Sequence, residues 1–384
     1  MSADKKEKYR MEIFMDAFCI LFTDTYDKDE STIPELSQHR TLASIPFGGR
    51  YRLIDFMLSS LVGANVYNIG IITKSKYGSL IDHLGWGKDW DLDRKNGGLK
   101  ILTPFATAGY SSRDSQFEIL KTVYAYIDNM KSEYCIIANA NIVANIDFSE
   151  LFSLHTKTSA DITVLSTKRK ACATDLELTI DDSGKVINAI IKSNPDDCEK
   201  LIAEDIFIMK KSLLYELVDL GATYGWRTFK KDVLAKRFSH LNIYAYRHRG
   251  YFRIIDSLEC YLSSNMDMLK KDIKDEIFNK NQPILTRTKD SVPTKYGDNA
   301  RVKNCFVADG CVIDGEVCNS VIFRSVKISS GAKIENSVIM QNSLIESDVS
   351  LNCAVVDKNA IVTSHKKLHG EKTQPIVIKK GKIV

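Results

Sequence analysis

The chain has 384 residues, of which 44% are hydrophobic, and a formal net charge of only +4 from 53 basic and 49 acidic side chains. This length allows two domains with a sizeable core, and the interspersed charges exclude the basic patch of a nucleic-acid-binding protein. No apolar run approaches the roughly 18 residues that a membrane span needs, and the charged first ten residues lack the apolar segment of an export signal. We predict a cytoplasmic protein with no nucleic-acid or membrane partner.

Short apolar runs alternate with amphipathic stretches up to about residue 270. The strand-like runs include FCILFT, NIGIIT, EYCIIANA, DITVLST and LIAEDIFIM, and the helix-like stretches include YRLIDFMLSSLVGAN and SQFEILKTVYAYIDNM. This alternation predicts βαβ units around a mainly parallel sheet, which is a Rossmann-like α/β domain. The first of these strands leads into FTDTYDKDE, and no glycine occurs before residue 48.

Four similar phrases follow a polar segment near residue 290. They are NCFVADG, NSVIFRS, NSVIMQN and NCAVVDK, which begin at Asn304, Asn319, Asn336 and Asn352. A spacing of 15 to 17 residues is close to three six-residue rungs per turn, which predicts a parallel β-helix with stacked aliphatic side chains. The alternative is a β-sandwich, although a sandwich does not require a repeated phrase. We place the α/β domain at 1–275, a linker at 276–295 and the β-helix at 296–384.

Nine cysteines are scattered through both halves of the chain without a Cys-x-x-Cys pair or a metal-ligand spacing. An odd number of cysteines without regular spacing is typical of buried, reduced thiols rather than of a disulfide framework. We therefore predict neither disulfides nor a cysteine metal site.

Three phrases resemble the glucose-1-phosphate adenylyltransferase family: IPFGGRYRLIDFMLSSLV, YGDNARVKNCFVADGCVIDGEVCNSVIFRSVKI and QPIVIKKGKIV. The resemblance runs from about residue 18 to the end. It implies a nucleotidyltransferase (GT-A-like) domain followed by a left-handed parallel β-helix. The family reaction joins glucose 1-phosphate to the α-phosphate of ATP and releases pyrophosphate. It therefore requires donors for the triphosphate, a Mg²⁺ ion and carboxylates that hold this ion.

The phosphate-binding positions implied by the resemblance are altered. Active members follow the first strand with a glycine-rich loop and an arginine, because glycine lets backbone N–H groups approach phosphates. Here the phosphate-contacting lysine of the family corresponds to Leu42. We expect the loop to repel a triphosphate through four carboxylates, those of Asp24, Asp27, Asp29 and Glu30.

The two metal carboxylates of the family correspond to Asn141 and Ile254. An amide oxygen carries no charge and isoleucine has no oxygen to offer, so the resemblance implies no Mg²⁺ site and no cofactor in this chain. A two-residue shift of the alignment would instead recruit Asp256 as one carboxylate. Of the family's substrate-binding motifs, only Glu118 and Lys192 remain as candidate remnants.

A chain that keeps the fold motifs of the family but lacks its phosphate- and metal-binding residues resembles the non-catalytic D-type subunits that accompany a catalytic C-type subunit. The resemblance implies a regulatory, catalytically deficient member of a heterotetramer in glycogen biosynthesis, with Mg²⁺ bound by the catalytic partner. Two other functions stay open. They are a weakly active adenylyltransferase with substitute ligands and a free-standing sensor of sugar phosphates or nucleotides.

Regulation in this family depends on sugar phosphates or related anions held by basic residues near the interface of the two domains. The matching positions here are His39, Arg40 and Arg52, which we predict to bind an effector. The alternative for Arg52 is an ordinary structural pair with Asp55.

Overall fold

The computed structural model describes residues 15–25, 32–103, 115–192, 194 and 197–384. The strands of the α/β domain are β1 (Ala17–Phe22), β2 (Pro46–Phe47), β3 (Tyr51–Arg52), β4 (Ile69–Ile72), β5 (Leu99–Leu102), β6 (Tyr134–Asn139), β7 (Ile142–Ala144), β8 (Ile162–Lys170), β9 (Leu176–Ile180), β10 (Val186–Ile191), β11 (Glu199–Lys210), β12 (Ile243–Arg247) and β13 (Phe252–Ile254). Its α-helices are α1 (Pro34–Ser37), α2 (Leu53–Gly63), α3 (Gly78–Leu84), α4 (Gln116–Thr122), α5 (Tyr124–Asp128), α6 (Phe148–Thr158), α7 (Lys211–Tyr224), α8 (Ala235–Arg237), α9 (Leu258–Asp267) and α10 (Lys271–Ile277). Short 3₁₀ turns occupy Leu42–Ser44 and Lys88–Trp90, and a π-helical turn occupies Phe229–Leu234.

One large sheet organises this domain. Its neighbouring strands are β10, β9, β11, β6, β1, β4 and β5, and β8 joins β11 to β12. The half formed by β6, β1, β4 and β5 is parallel, as the alternation of strands and helices predicts. The prediction of a mainly parallel sheet is wrong for the other half, where β11 runs antiparallel to β6, β8 and β9. Strands β8 to β11 follow one another without an intervening helix in the described residues, and antiparallel neighbours need only short connections.

The second half of the chain is a β-helix with three parallel sheets of five strands each. Its strands are β14 (Lys295–Tyr296), β15 (Arg301–Lys303), β16 (Phe306–Val307), β17 (Val312–Ile313), β18 (Glu316–Cys318), β19 (Val321–Ile322), β20 (Lys327–Ile328), β21 (Lys333–Glu335), β22 (Val338–Ile339), β23 (Leu344–Ile345), β24 (Ser350–Asn352), β25 (Ala354–Val356), β26 (Ile361–Val362), β27 (Lys367–His369) and β28 (Ile376–Ile378). The predicted fold class, an α/β nucleotidyltransferase domain followed by a left-handed parallel β-helix, is confirmed, and the β-sandwich alternative is wrong. The exact domain limits stay a prediction.

Stacked side chains explain the repeated phrases. Val317, Ile334 and Leu351 pair in register on successive coils and are buried, so each coil covers the aliphatic face of the one before. The corners need a left-handed backbone, which asparagine adopts more readily than most residues. Asn304 and Asn319 both have positive φ, and the Asn304 amide donates to the Asn319 side-chain oxygen at 2.8 Å.

The phrase Pro-Phe-Gly-Gly joins the two domains. Gly48 and Gly49 have φ values of 58° and 84°, which glycine adopts without strain. The Gly48 N–H donates to the Asn265 side chain at 3.0 Å, and the Tyr261 hydroxyl donates to the Pro46 carbonyl at 2.7 Å. Phe47 packs in one hydrophobic cluster with residues of both α9 and the β-helix. The phrase therefore has a structural task that is independent of catalysis.

None of the helices in the described part of the chain is long and apolar enough to cross a membrane. The nine cysteines are all free thiols.

Candidate functional site

A small cavity lies beside the carboxyl end of β6, where the resemblance implies the active site. Its volume is about 100 Å³, whereas sites for small molecules usually measure about 300–1,000 Å³. The structure brings both altered metal positions, Asn141 and Ile254, to its wall, and Asp256 lines it as well. We call this cavity the cleft.

The side chain of Asn141 is committed to the protein backbone. Its Nδ2 donates to the Ile255 carbonyl at 3.1 Å, and the backbone carbonyl of Asn141 accepts from the Ile255 N–H at 2.8 Å. These contacts continue the antiparallel pairing of β7 with β13, in which Ile254 lies opposite Ile142. Asn141 is buried. An amide at this position joins two strands in a way that a carboxylate could not, because a carboxylate has no N–H to donate.

Three of the charged residues that line the cleft are in ion pairs, namely Lys230 with Asp205, and Asp175 with Arg169, which lies outside the lining. Lys230 lies 3.1 Å from Asp205. Burial disfavours the charged ammonium, but the attraction of Asp205 and Glu204 outweighs this and raises the pKa of Lys230. Arg169 donates to Asp175 at 3.0 Å and to the fully buried Glu204 at 3.1 Å.

Asp175 is held as a carboxylate by this network. Burial alone would raise its pKa, but the hydrogen bonds from Arg169 and from the Cys172 N–H lower the pKa of Asp175 below its ordinary value. Its charge is therefore matched within the protein. Within the described ranges, no group of three or more His, Cys, Asp or Glu side chains is arranged to hold a metal ion.

The turn after β1 differs from what its acidic sequence predicts. The Asp24 carboxylate faces the protein, where it accepts from the Leu42 N–H at 3.1 Å and from the Thr23 hydroxyl at 2.9 Å. Burial raises the pKa of Asp24 in spite of these bonds. Leu42 is buried against Phe47 in the cluster between the domains. The other three acidic residues of this turn lie outside the described residues.

The two candidate substrate remnants do not line the cleft. Glu118 forms a capping box at the start of α4, since its carboxylate accepts from the Ser115 N–H at 2.9 Å and its N–H donates to the Ser115 hydroxyl at 3.1 Å. Lys192 pairs with Glu177 at 2.9 Å. Both residues have structural partners.

A second and larger cavity opens between the α/β domain, the linker and the β-helix. Its volume is about 490 Å³. Its charged lining is mostly basic: His39, Arg50, Arg52, Arg287, Lys289, Arg324, Lys358 and Lys380, against the single carboxylate of Asp82. We call it the basic pocket. Such an excess of cations attracts anions.

The three predicted effector residues separate into two groups. His39 and Arg52 line the basic pocket, whereas Arg40 does not. Arg40 is 3% exposed, and its Nη2 lies 2.9 and 3.0 Å from the two carboxylate oxygens of Asp357 in the β-helix. Its guanidinium therefore forms a buried bidentate ion pair between the domains.

Arg52 does not pair with Asp55 through its guanidinium. The contact is made by the Arg52 backbone N–H, which donates to Asp55 at 3.0 Å at the start of α2, while the guanidinium donates to the backbone and hydroxyl oxygens of Ser79. Asp55 instead lies 2.6 Å from His83 and accepts from Thr286. Burial lowers the pKa of Arg52 to about 10, so its positive charge remains at neutral pH.

Lys358 lies near the positive charges of Arg40, Arg52 and Lys289. Burial and the charges of Arg52 and Arg40 lower its pKa to about 6, although Asp357 acts in the opposite direction. Burial and the neighbouring arginines also lower the pKa of Lys289. Among the described residues, neither lysine has a carboxylate within ion-pair distance.

Sequence reasoning missed most of the basic pocket, including Arg287, Lys289, Arg324 and Lys358. No local motif marks these residues, because they come from the linker and from separate β-helix coils and meet only in the folded chain. The single early indication was the pair of basic residues at His39 and Arg52.

Comparison with known families defines the class of both halves. A family described as "Nucleotidyl transferase" matches residues 33–269, which is more than half of the chain. A second family, described as "GlmU-like, C-terminal hexapeptide", matches residues 290–374. The cleft therefore belongs to a nucleotidyltransferase domain.

Similar proteins narrow this class. "Glycogen biosynthesis protein GlgD" of Geobacillus stearothermophilus is 37% identical over 349 residues, covering 91% of this chain and 92% of that protein. The protein of the same name from Bacillus subtilis (strain 168) is 35% identical over 312 residues, covering 80% and 81%. "Glucose-1-phosphate adenylyltransferase" of Thermosipho melanesiensis is 29% identical over 306 residues, covering 76% and 72%. The chain belongs to the glucose-1-phosphate adenylyltransferase family, in its GlgD-type group, as the resemblance predicts.

Proposed function

We propose that the chain is a regulatory, catalytically deficient subunit of a glucose-1-phosphate adenylyltransferase complex that acts in glycogen biosynthesis in the cytoplasm. The observation that carries the proposal is the condition of the cleft. The Asn141 amide donates to a backbone carbonyl, Ile254 has no ligand atom, and Lys230, Asp205 and Asp175 are held in ion pairs. Neither position that the resemblance assigns to Mg²⁺ carries a carboxylate, and Lys230, the cation in the described lining, is already paired, so the cleft is poorly suited to Mg²⁺ and to a triphosphate. The names of the GlgD relatives support the role in glycogen biosynthesis.

The basic pocket supports an effector-binding role. His39 and Arg52 lie in it with Arg50, Arg287 and Lys380, so several positive charges face one cavity. Gln341 also lines the pocket, and its side-chain oxygen is buried without a hydrogen-bond partner among the described residues. Cations for a phosphate group and an acceptor for a hydroxyl group fit a sugar phosphate.

A chain without catalysis can act only by shifting the equilibrium of a partner. The basic pocket is suited to this because its walls come from both domains, so an anion that binds there favours one arrangement of them. Typical coupling energies of about 1–3 kcal/mol correspond to changes of about 5–150-fold in affinity.

The first coil of the β-helix supports a hetero-oligomer with a catalytic C-type subunit. β14, β15 and β16 each end their sheet, and no described residue pairs with their outer edges. At the opposite end, β26 is covered, since the Ile361 N–H donates to Lys382 and the Val384 N–H donates to Ile361. Uncovered strand edges favour pairing with another chain. In this complex the Mg²⁺ ion belongs to the catalytic partner.

The test is to assay ADP-glucose formation with the purified chain alone, with the catalytic subunit of the same organism alone, and with both after co-expression. We expect no Mg²⁺-dependent turnover by the chain alone and a severalfold higher rate or effector response in the mixture. A matched variant, Arg52→Ala, should keep the assembly and lose the effector response. The exposed Lys327→Ala is the control for removal of a β-helix charge.

Two outcomes would replace the proposal. Turnover by the chain alone that disappears in Asp256→Asn would favour a weakly active enzyme with Asp256 as the substitute ligand. Failure to co-purify with the catalytic subunit, together with tight binding of a sugar phosphate, would favour a free-standing sensor.

A further inference from the structure

Lys358 combines three properties that the proposed regulation does not use. It follows β25 on the β-helix and lines the basic pocket. It forms no ion pair among the described residues. The adjacent carboxylate of Asp357 is already occupied, because it accepts two hydrogen bonds from Arg40 and one, at 2.7 Å, from the Lys358 backbone N–H.

The groups around the Lys358 amine are nearly all cationic. Arg40, Arg52 and Lys289 act on it directly, with Asp357 as the opposing charge. Arg50, Arg287, Arg324 and Lys380 line the same pocket, and Asp82 is the one carboxylate among its described lining residues. His39 and His83 line it as well, and burial lowers the pKa of His83. The surrounding cations repel a positive charge on the Lys358 amine, so the amine loses its proton more readily than that of an ordinary lysine.

The consequence is a nucleophilic amine at neutral pH. With a pKa of about 6, about nine tenths of the Lys358 side chain is neutral at pH 7, whereas fewer than about one in a thousand ordinary lysines with a pKa of about 10.4 are neutral there. Only the neutral amine has a lone pair with which to attack a carbonyl carbon.

We propose that Lys358 is a modification site that is acylated without an enzyme by acyl phosphates held in the basic pocket through their phosphate group. The surrounding guanidinium and ammonium groups bind the phosphate, and this places the acyl carbon within reach of the amine. Acyl phosphates thus combine the two features that the pocket selects, an anionic group and an electrophilic carbonyl.

The reaction balances without an oxidant or reductant. The Lys358 nitrogen forms a bond to the acyl carbon, and the bond between that carbon and the phosphate-bearing oxygen breaks. The phosphate leaves with the electron pair and, after taking the amine proton, becomes inorganic phosphate. The product is an uncharged amide whose acyl group occupies part of the pocket. The inference rests on the proposed function only in that the pocket attracts phosphorylated anions, and it requires no catalytic partner.

The experiment treats the purified full chain with acetyl phosphate and follows each lysine by peptide mass spectrometry between pH 5 and pH 9. We expect Lys358 to be acetylated at least about tenfold faster than Lys327 and Lys333, two exposed lysines of the same β-helix. The rate at Lys358 should rise through about pH 6 and level off by pH 8. The rates at Lys327 and Lys333 should still be rising at pH 9.

Two further measurements separate recognition of the phosphate from simple reactivity. Inorganic phosphate should slow the acetylation of Lys358 and leave the acetylation rate of Lys327 unchanged. Lys289→Met should slow the acetylation of Lys358 severalfold at pH 7. The substitution removes a cation that binds the anion and that also helps to keep the Lys358 amine neutral. Equal rates at Lys358 and Lys327, or a rate at Lys358 that inorganic phosphate does not change, would overturn the inference. Because the chain is tested alone, these results do not depend on whether it stimulates a catalytic subunit.

Discussion

The cleft and the basic pocket are both polar cavities of the same chain, yet their charges are arranged in opposite ways. At the cleft, Lys230 pairs with Asp205, and Asp175 pairs with Arg169 beside it. In the basic pocket, Lys289 and Lys358 have no such partners among the described residues, and cations outnumber carboxylates. A site whose charges are satisfied internally is built for stability, whereas one that keeps like charges together needs a ligand of opposite sign.

The largest expected effect comes from the buried ion pair of Arg40 with Asp357, which joins the α/β domain to the β-helix. Arg40→Ala leaves the carboxylate of Asp357 buried without its cationic partner, so we expect the free energy of unfolding to fall by about 3–5 kcal/mol. Chemical denaturation measures this change. The control is Lys170→Ala, which removes the exposed partner of Asp197 and should cost no more than about 1 kcal/mol. Equal effects of the two substitutions would contradict a structural role for Arg40.

Acid titration tests whether the cleft charges are structural. Asp175→Asn removes a carboxylate bound by Arg169, and we expect a loss of about 1.5–3 kcal/mol at pH 7. The folded pKa of Asp175 is depressed, so its contribution is complete above the unfolded value of about 3.9. This contribution disappears as the pH falls through the lower folded value.

Denaturation curves of wild type and Asp175→Asn should therefore be separated by a constant amount near neutral pH and converge below about pH 4. Glu199→Gln is the control. It removes a carboxylate of β11 whose ion pair with Lys168 is exposed to solvent, so its denaturation curves should differ less from those of the wild type. A separation that persists at low pH would mean that Asp175 contributes through packing rather than charge.

Restoring one family carboxylate should harm the protein rather than reactivate it. Asn141→Asp removes the donor to the Ile255 carbonyl and sets two acceptors against each other, at an expected cost of about 1–3 kcal/mol. Neither this variant nor Asn141→Asp combined with Ile254→Asp should form ADP-glucose. Asn139→Asp adds the same charge to the same cleft without removing a side-chain hydrogen bond among the described residues, and it should cost less. Turnover in the double variant would show that the cleft retains the rest of its machinery.

The smallest expected effect is a ligand-induced shift in thermal stability. A sugar phosphate at about 10 times its dissociation constant stabilises the folded chain by about 1.4 kcal/mol, which should raise the unfolding midpoint by a few degrees. Arg52→Ala should remove the shift if the basic pocket binds the anion. Lys192→Ala, which changes a candidate remnant outside that pocket, should preserve it. The reverse pattern would assign anion binding to the other region.

The sequence was sufficient for those features that depend on local periodicity. Repeats beginning at Asn304, Asn319 and Asn336 predict the β-helix because each coil is a local unit that stacks on its neighbour. The resemblance assigns Asn141 and Ile254 to one site, and both line the cleft, although the sequence could not show that the Asn141 amide bonds to a carbonyl 114 residues away.

Features that depend on distant pairing could not be predicted from the sequence. Arg40 follows His39 directly, and both were expected to bind an effector, but only His39 lines the basic pocket. Arg40 meets Asp357 across 317 residues, and no local pattern indicates such a contact. The antiparallel half of the sheet was missed for a related reason, because short apolar runs specify strands but not the direction of their neighbours.

The most direct test of the central claim is a three-way assay of ADP-glucose formation with Mg²⁺ and saturating substrates, in which the chain, the catalytic subunit and their co-expressed complex are compared at equal concentrations of catalytic subunit. The account predicts no turnover by the chain and a complex whose rate or response to a sugar phosphate differs severalfold from that of the catalytic subunit. Turnover by the chain alone, or a complex that behaves identically to the catalytic subunit with and without the sugar phosphate, would contradict it.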